Sequence, residues 1–217
     1  AGIIVGVVGL TGLGLKFSAM MLAFSGGNLL LALIMVLLAS LVLGMGLPVT
    51  ASYIVLIVLV GPALANEFGV PLLIAHLVVF WYSQDSNVTP PIALAGFAGA
   101  AIAGAKPMET SFQSWKFAKG LYLVPLFMVY NPEIIIGGPV WLLIWKGFTG
   151  LLALGAFAAT LEGYLFTRMA IWQRVLLLPA IVGVFLPSLV FDVAGAAVML
   201  AIISLNFWQA RRSPATV

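Results

Sequence analysis

Long apolar stretches are the feature that most limits what this sequence can fold into. Residues 29–47 contain no charged side chain, and residues 140–160 contain only Lys146. At ~1.5 Å per residue, helices of these lengths come close to spanning the ~30 Å hydrocarbon core of a bilayer. Only 7% of the residues are charged, and the mean hydropathy is +1.23. The sequence therefore predicts an all-α polytopic membrane protein.

Charge and motifs exclude several function classes. The formal net charge is +3, but the basic residues are scattered, which favours a role in membrane orientation over nucleic-acid binding. The absence of cysteine excludes disulfide and thiolate chemistry. No HExxH, GxSxG, CxxC or P-loop motif occurs. The aspartates Asp85 and Asp192 lack the context of an intramembrane aspartyl protease, so a membrane enzyme is only a distant alternative.

Three basic segments predict the orientation of the chain in the membrane. They are residues 106–119, the pair Arg168 and Arg174, and the pair Arg211 and Arg212. The positive-inside rule places all three on the cytoplasmic side. The intervening loops, 131–139 and the turn at Asp192, contain no Lys or Arg and are expected outside.

Two polar or Gly/Pro-rich interruptions separate short apolar limbs. "GMGLPVTAS" (residues 44–52) follows a limb of fifteen residues, and "SQDSNVTPP" (residues 83–91) lies inside the apolar segment 70–105. The first pair of limbs predicts a re-entrant hairpin that enters and leaves by the outer face. The second pair predicts one transmembrane helix that is broken in the middle. Extramembrane loops between short tilted helices are the alternative interpretation.

Irregular backbone at membrane depth is typical of a binding site. Unpaired backbone groups cost several kcal/mol each in lipid, so such breaks persist where protein or a water-filled site surrounds them. Freed carbonyls and helix C-terminal ends can then coordinate a cation, and helix N-termini can face anionic groups. Glycine and proline permit the breaks, and neutral side-chain oxygens suit a hard cation. The residues concerned are Gly44, Gly46, Pro48, Thr50, Ser52, Ser86, Asn87, Thr89, Pro90 and Pro91.

Four segments resemble the C-terminal part of the large membrane (M-type) subunit of TRAP transporters. They are "AGIIVGVVGLTGLGLKFS", "GMGLPVTASYIVL", "SQDSNVTPPIALAGFAGAAIAG" and "KGLYLVPLFMVYNP". The resemblance covers residues 1–132, is looser beyond, and is greatest to fused 4TM/12TM permeases of the TAXI branch. It implies the second inverted repeat of an ion-transporter-superfamily elevator fold, with a re-entrant hairpin, a broken transmembrane helix and additional C-terminal transmembrane helices.

The resemblance also implies a domain organisation. Residues 1–28 would form a transmembrane helix and an amphipathic connecting arm. Residues 29–69 would form the hairpin with its tip at 44–52, and residues 70–105 the broken helix with its break at 83–91. An interfacial helix and a transmembrane helix would occupy 106–132, and three C-terminal helices and a tail 133–217. The first repeat and the small membrane subunit are expected upstream, which would make this chain a fragment.

The site residues follow from the same resemblance. Cation coordination is assigned to Gly44, Gly46, Thr50, Asp85, Asn87 and Thr89, and substrate contact to Thr50, Ser52, Ser86 and Pro90. Where many relatives carry an acid near the hairpin tip, this chain has Pro48 and Val49. Asp85 is a functional candidate because it is an intramembrane carboxylate. Its alternative role is to cap the second half of the broken helix.

The implied function is import of a small organic anion, such as a dicarboxylate, by a secondary active transporter. A Na⁺ or H⁺ gradient would drive it, a periplasmic TAXI-type solute-binding protein would deliver the substrate, and no cofactor is expected. The location would be the bacterial or archaeal inner membrane. A different secondary carrier or a channel is the nearer alternative.

Three further interpretations concern side chains outside the two interruptions. His76 is expected to form a hydrogen bond to a neighbouring helix rather than to relay protons. Lys146 is expected to reach the membrane interface with its long side chain. The tryptophans are expected to anchor the chain at the two interfaces, and they are Trp115, Trp141, Trp145, Trp172 and Trp208.

Overall fold

The computed structural model describes residues 2–45 and 47–212, and all regular secondary structure in this part is helical. The chain divides into two compact units, the first ending at Val129 and the second beginning at Tyr130. The all-α prediction is confirmed.

The first unit begins with a bent pair of helices. Helix α1 (Gly2–Thr11) and helix α2 (Leu13–Ser25) meet at an angle of 72°. Gly12 between them has φ +63°, a left-handed conformation that glycine adopts without steric cost. Together they qualify as one bent membrane span by length and composition.

A helical hairpin follows. Helix α3 (Leu29–Leu43) begins at Asn28, whose Oδ1 accepts a hydrogen bond from the Leu31 N–H at 3.2 Å. Helix α4 (Val49–Pro62) continues through a π-helical turn (Ala63–Glu67). The second limb is therefore nineteen residues long and qualifies as a membrane span. The tip predicted at 44–52 was too long, because α4 begins directly after Pro48 and includes Thr50 and Ser52.

Two helices flank the predicted break, which lies further toward the C-terminus than expected; that they form one broken transmembrane helix stays a prediction. Helix α5 (Leu72–Asp85) includes residues 83–85, and helix α6 (Leu94–Ala103) begins after Ala93, which has φ +36°. The non-helical segment is thus 86–93 rather than 83–91. Because Asp85 is the last residue of α5 and the N-cap of α6 is Ala93, Asp85 does not cap the second half-helix.

The rest of the first unit covers the break. Helix α7 (Pro107–Phe117) leads through a 3₁₀ turn (Ala118–Tyr122) into helix α8 (Leu123–Tyr130). Helix α7 has exposed Lys106 and Glu109 at its start, with Nζ and Oε1 2.8 Å apart, and its polar composition suits an interfacial position. Helix α8 spans only eight residues, or ~12 Å, which is short of the transmembrane helix expected in this region.

The second unit contains the three expected C-terminal helices. After a short helix α9 (Glu133–Ile136), helix α10 (Val140–Glu162) and helix α12 (Leu189–Arg212) are both long enough to span a membrane, and helix α11 (Ile171–Phe185) lies between them. Gly195 lies so close to the Ala180 carbonyl oxygen that a side chain there would overlap it. Small residues at such contacts allow membrane helices to approach closely.

A buried ion pair joins α10 to α12. The Nζ of Lys146 lies 2.9 Å from Oδ2 of Asp192, and Trp145 Nε1 donates a 2.8 Å hydrogen bond to the same oxygen. Lys146 is 4% exposed and Asp192 is fully buried. The expectation that Lys146 reaches the interface is therefore wrong, and Asp192 lies in the first turn of α12 rather than in a loop. Trp145 is a partner in this cluster.

His76 has the partner expected from the sequence. Its Nδ1 lies 2.7 Å from the hydroxyl of Tyr53, which connects α5 to α4. The hydrogen-bonding interpretation is thus confirmed. Trp115, Trp141, Trp172 and Trp208 are each exposed, and their placement at the membrane interfaces stays a prediction.

Candidate functional site at the helix break

The hairpin tip and the break of the first unit touch each other. A Cβ atom at Gly44 would lie 2.5 Å from Oγ and 2.6 Å from Cβ of Ser86. Gly44 directly follows α3, and Ser86 directly follows α5. The C-terminal ends of two helices therefore meet at this contact, and only glycine leaves enough space for it. Gly46 lies outside the described residues.

Asp85 is buried beside this contact without a partner. Its side chain is 0% exposed, and neither Oδ1 nor Oδ2 has a hydrogen-bond partner in the described part of the chain. An unpaired buried carboxylate costs several kcal/mol. It also lies at the C-terminal end of α5, where the helix dipole disfavours negative charge. The arrangement therefore favours a bound positive charge or a proton at this position.

Two buried serines lie in the two interrupted segments, Ser52 in α4 and Ser86 directly after α5. Ser52 in the first turn of α4 is 1% exposed, and its Oγ has no hydrogen-bond partner among the described residues. Ser86 is 5% exposed, and its Oγ donates to the carbonyl of Ser83 at 3.2 Å. A hydroxyl that donates one bond still offers lone pairs to a cation. Thr50, in contrast, is exposed.

Thr89 is held by two residues from outside the break. Its Oγ1 lies 2.7 Å from the Tyr122 hydroxyl, and Trp115 Nε1 donates to that hydroxyl at 2.9 Å. Tyr122 ends the 3₁₀ turn and Trp115 is in α7. The sequence analysis assigned neither residue to the site, although "KGLYLVPLFMVYNP" was among the segments that carry the family resemblance.

The backbone of the break satisfies several of its own groups. The Asp85 carbonyl accepts hydrogen bonds from the N–H groups of Val88 and Thr89, at 3.2 and 2.9 Å. The Asn87 carbonyl accepts one from Ala95 at 3.0 Å. Freed carbonyls were expected at the break. The Asn87 carbonyl is instead used by α6, and Asn87 is half-buried.

Cavities lie on both sides of Pro90 and Pro91. One has a volume of about 200 Å³ and is lined by Val42 and Met45 of the hairpin and by Ser86 and Thr89. The other has a volume of about 350 Å³ and is lined on its far side by Met108, Phe112 and Trp115 of α7. Pro90 and Thr89, predicted to contact substrate and ion respectively, thus line the same space.

The site chemistry suits a hard, weakly held ion. Within the described ranges no three His, Cys, Asp or Glu side chains form a group that could hold a metal. One carboxylate and several hydroxyl oxygens are ligands typical of group I and II cations rather than of transition metals. The residues that the structure brings together are Gly44, Asp85, Ser86, Thr89 and Pro90.

Substituting Gly44 by Ala tests the contact between the tip and the break. The added methyl group would overlap Ser86, so the hairpin must shift, at a cost of about 1–3 kcal/mol. We expect a lower melting temperature and a weaker stabilisation by Na⁺. Gly99→Ala in α6 is the matched control, because no atom lies within 4 Å of its added Cβ. Equal melting temperatures for the two variants would contradict this role of Gly44.

Comparison with known proteins identifies the family of this chain. The family model described as "Tripartite ATP-independent periplasmic transporter, DctM component" matches residues 1–134. This confirms the TRAP resemblance over the segment in which it was expected, whereas the TAXI branch and the fused arrangement stay predictions. No curated protein and no solved structure matches the chain. The chain belongs to the DctM component family of tripartite ATP-independent periplasmic transporters, a family of multi-pass secondary-transport permeases rather than of enzymes.

Proposed function

We propose that the chain carries one half of the ion and substrate site of a permease that imports a small organic anion with a Na⁺ or H⁺ gradient. The observation that supports this most directly is Asp85. Its carboxylate is buried and unpartnered, at a point where α3 and α5 both end. The proposed coupling residues are Gly44, Gly46, Thr50, Asp85, Asn87 and Thr89.

Electrostatics favour a cation at this point. Each helix C-terminus carries roughly half an elementary negative charge, so α3 and α5 together contribute a field comparable with one further anion. Asp85 adds a full charge when ionised. A cation bound near Asp85 and Ser86 would offset the negative charge of Asp85 and of the C-terminal ends of α3 and α5. Na⁺ fits the neutral oxygens of Ser52, Ser86 and Thr89, whereas H⁺ would bind to Asp85 itself.

The same region can accept an anionic substrate. Helices α4 and α6 begin here, at Val49 and Leu94, and neither has a side-chain cap. In α6 the Ala95 N–H already donates to the Asn87 carbonyl, so α4 offers the larger set of N–H groups. Free N–H groups at helix N-termini attract carboxylates. The cavity beside Ser86, Thr89 and Pro90 lies next to the proposed cation. We therefore assign substrate contact to Thr50, Ser52, Ser86 and Pro90, with a dicarboxylate as the leading class.

The remaining parts of the proposal concern the complete transporter. Among the described residues, the hairpin of α3 and α4 and the break between α5 and α6 would form one repeat, and a second repeat would supply the facing half of the site. The two would move together as an elevator in the inner membrane of a bacterium or archaeon. A small membrane subunit and a TAXI-type periplasmic binding protein would complete the assembly. The family to which the chain belongs supports these partners.

Uptake into proteoliposomes tests the proposal. The complete permease is reconstituted, and labelled C4 and C5 dicarboxylates and amino acids are offered with an inward Na⁺ gradient, an inward H⁺ gradient or neither. We expect saturable uptake that requires the binding protein and one of the gradients. Flux that persists without a gradient and without the binding protein would indicate a channel and contradict the proposal.

Removing the hydroxyl of Thr89 should weaken ion-coupled uptake more than removing the hydrogen bond between that hydroxyl and Tyr122. Thr89→Val removes the Oγ1 ligand, and we expect the concentration of the coupling ion at half-maximal uptake to rise about tenfold, the equivalent of one lost polar interaction. Tyr122→Phe removes the same 2.7 Å hydrogen bond but leaves Oγ1 in place, so its effect should be smaller. A larger effect of Tyr122→Phe would show that Thr89 serves only to pack the break.

A further inference from the structure

A groove in the second unit lies where helix α10 ends and helix α11 begins. It has a volume of about 270 Å³ and is lined by Thr160, Leu161, Ile171, Arg174, Val175 and Leu178. Of these six residues, Thr160 is buried, Arg174 is half-buried and the other four are exposed. The groove is part of neither the helix break nor the segment matched by the family model, which ends at residue 134.

Arg174 is fixed at this groove with most of its donors unused. Its Nε donates to the Thr160 carbonyl at 2.7 Å, and its guanidinium lies over Gly163, where an added Cβ would be 3.3 Å from Nη1. A guanidinium has five N–H donors, and in the described part of the chain only Nε–H forms a hydrogen bond. The charged fork therefore remains available to an anion with several oxygens.

The surrounding charge is positive at this end of the unit. The four arginines of the unit all lie here, at the ends of helices or in the loop that joins α10 to α11, and Glu162 is the acid among them. The loop is joined to α12, because Asn206 Oδ1 accepts hydrogen bonds from the N–H groups of Phe166 and Thr167 at 3.0 and 3.2 Å. Arg168 lies in this loop, and Arg174 lies near the start of α11.

The wall of the groove is apolar and extends away from the charge. Ile171, Val175 and Leu178 are 78%, 57% and 47% exposed, and they follow one another along α11 at helical spacing. A soluble phosphate would use Arg174 but none of this wall. A ligand that matches both parts has an anionic head and a hydrocarbon chain.

We propose that this groove binds an anionic phospholipid, with its phosphate on Arg174 and an acyl chain along Ile171, Val175 and Leu178. The positive-inside rule assigns this end of the unit to the cytoplasmic leaflet. Basic pockets between helices on that side are suited to acidic head groups. The lipid would fill the groove and bridge the ends of α10 and α11.

Lipid quenching at a single label tests the proposal. The chain has no cysteine and six tryptophans, so Ile171→Cys, in a permease whose other cysteines are replaced by serine, carries the only extrinsic fluorophore in nanodiscs. Brominated phosphatidylglycerol and brominated phosphatidylcholine are titrated in turn. We expect phosphatidylglycerol to be preferred about fivefold at this label, the ratio that one basic residue near the surface provides. Arg174→Gln should reduce the ratio to about one, and Arg174→Lys should retain part of it.

Control variants distinguish a specific lipid site from the general attraction of anionic lipids to a basic surface. Val175→Trp fills the groove without altering its charge and should also abolish the preference, which covers the case in which Arg174→Gln fails to fold. Arg212→Gln should leave the preference intact, and a label at Leu200→Cys on α12 should show none. Glycerol phosphate at millimolar concentration should not displace the lipid. The proposal would be overturned by equal quenching by both lipids or by a preference that survives both groove variants. It would also be overturned by an equal preference at Leu200 or by displacement of the lipid by glycerol phosphate.

Discussion

Replacing Asp85 by Asn should abolish gradient-driven uptake without destabilising the protein. The carboxylate is the only full charge that the break offers to a cation, and at ~4 Å such a charge contributes about 4 kcal/mol when partly screened. The affinity for the coupling ion should therefore fall on the order of a hundredfold or more. The native carboxylate is buried and has no hydrogen-bond partner in the described structure. An isosteric neutral amide removes that cost, so the melting temperature without Na⁺ should be unchanged or higher.

Two measurements separate this role from a structural one. Native protein should gain stability as Na⁺ is added, because an ion that binds only the folded state shifts the equilibrium by mass action. Asp85→Asn should show no such gain. Glu109→Gln is the control, because it neutralises an exposed carboxylate in α7 and should retain both uptake and the Na⁺ effect. If Asp85→Asn lowered the melting temperature and kept coupled uptake, Asp85 would be a structural residue.

Replacing Lys146 by Met should destabilise the second unit by about 3–5 kcal/mol. This is the usual effect of removing one partner of a buried ion pair, because the other charge is left uncompensated. Asp192 would keep its hydrogen bond from Trp145 but lose the ammonium group at 2.9 Å. Unfolding of the full-length chain in bicelles by SDS titration measures the change.

The double variant shows how much the pair itself contributes. Lys146→Met combined with Asp192→Asn removes both charges and leaves an acceptor for Trp145, so most of the lost stability should return. Each single variant should be less stable than the double variant, and the double-mutant cycle should give a coupling energy of several kcal/mol. Additive effects of the two substitutions would show that the ion pair does not stabilise the unit.

The helical architecture was largely predictable from the sequence. Leu29–Leu43 was predicted to the residue, because Asn28 caps one end and glycines end the other. The limits of α4 and α5 were less accurate. Residues 49–52 and 83–85 are polar or β-branched and resemble a loop in the sequence, yet they complete the first turn of α4 and the last turn of α5. Packing against neighbouring helices decided these turns, and local propensity did not.

The candidate site was predictable in part, because its residues interrupt otherwise apolar segments. Glycines, prolines and a lone acid in an apolar segment pointed to Gly44, Asp85 and Thr89. Nothing in the pattern indicated that Tyr122 holds Thr89, since the two residues are 33 positions apart. Thr50 is exposed, because it belongs to the first turn of α4 and not to the tip loop. Free carbonyls were predicted at the break, but the Ala95 N–H donates to the Asn87 carbonyl because α6 folds back onto the break.

The sequence by itself determined the class of this protein and the places where its helices are interrupted. In lipid every backbone group must be satisfied within its own segment, so apolar runs become helices and Gly/Pro clusters become breaks whatever surrounds them. Only the tertiary structure decided which side chains meet. Gly44 against Ser86, and Lys146 and Trp145 against Asp192, lie far apart in the chain. Their contact depends on how separate helices pack, which short-range sequence patterns do not encode.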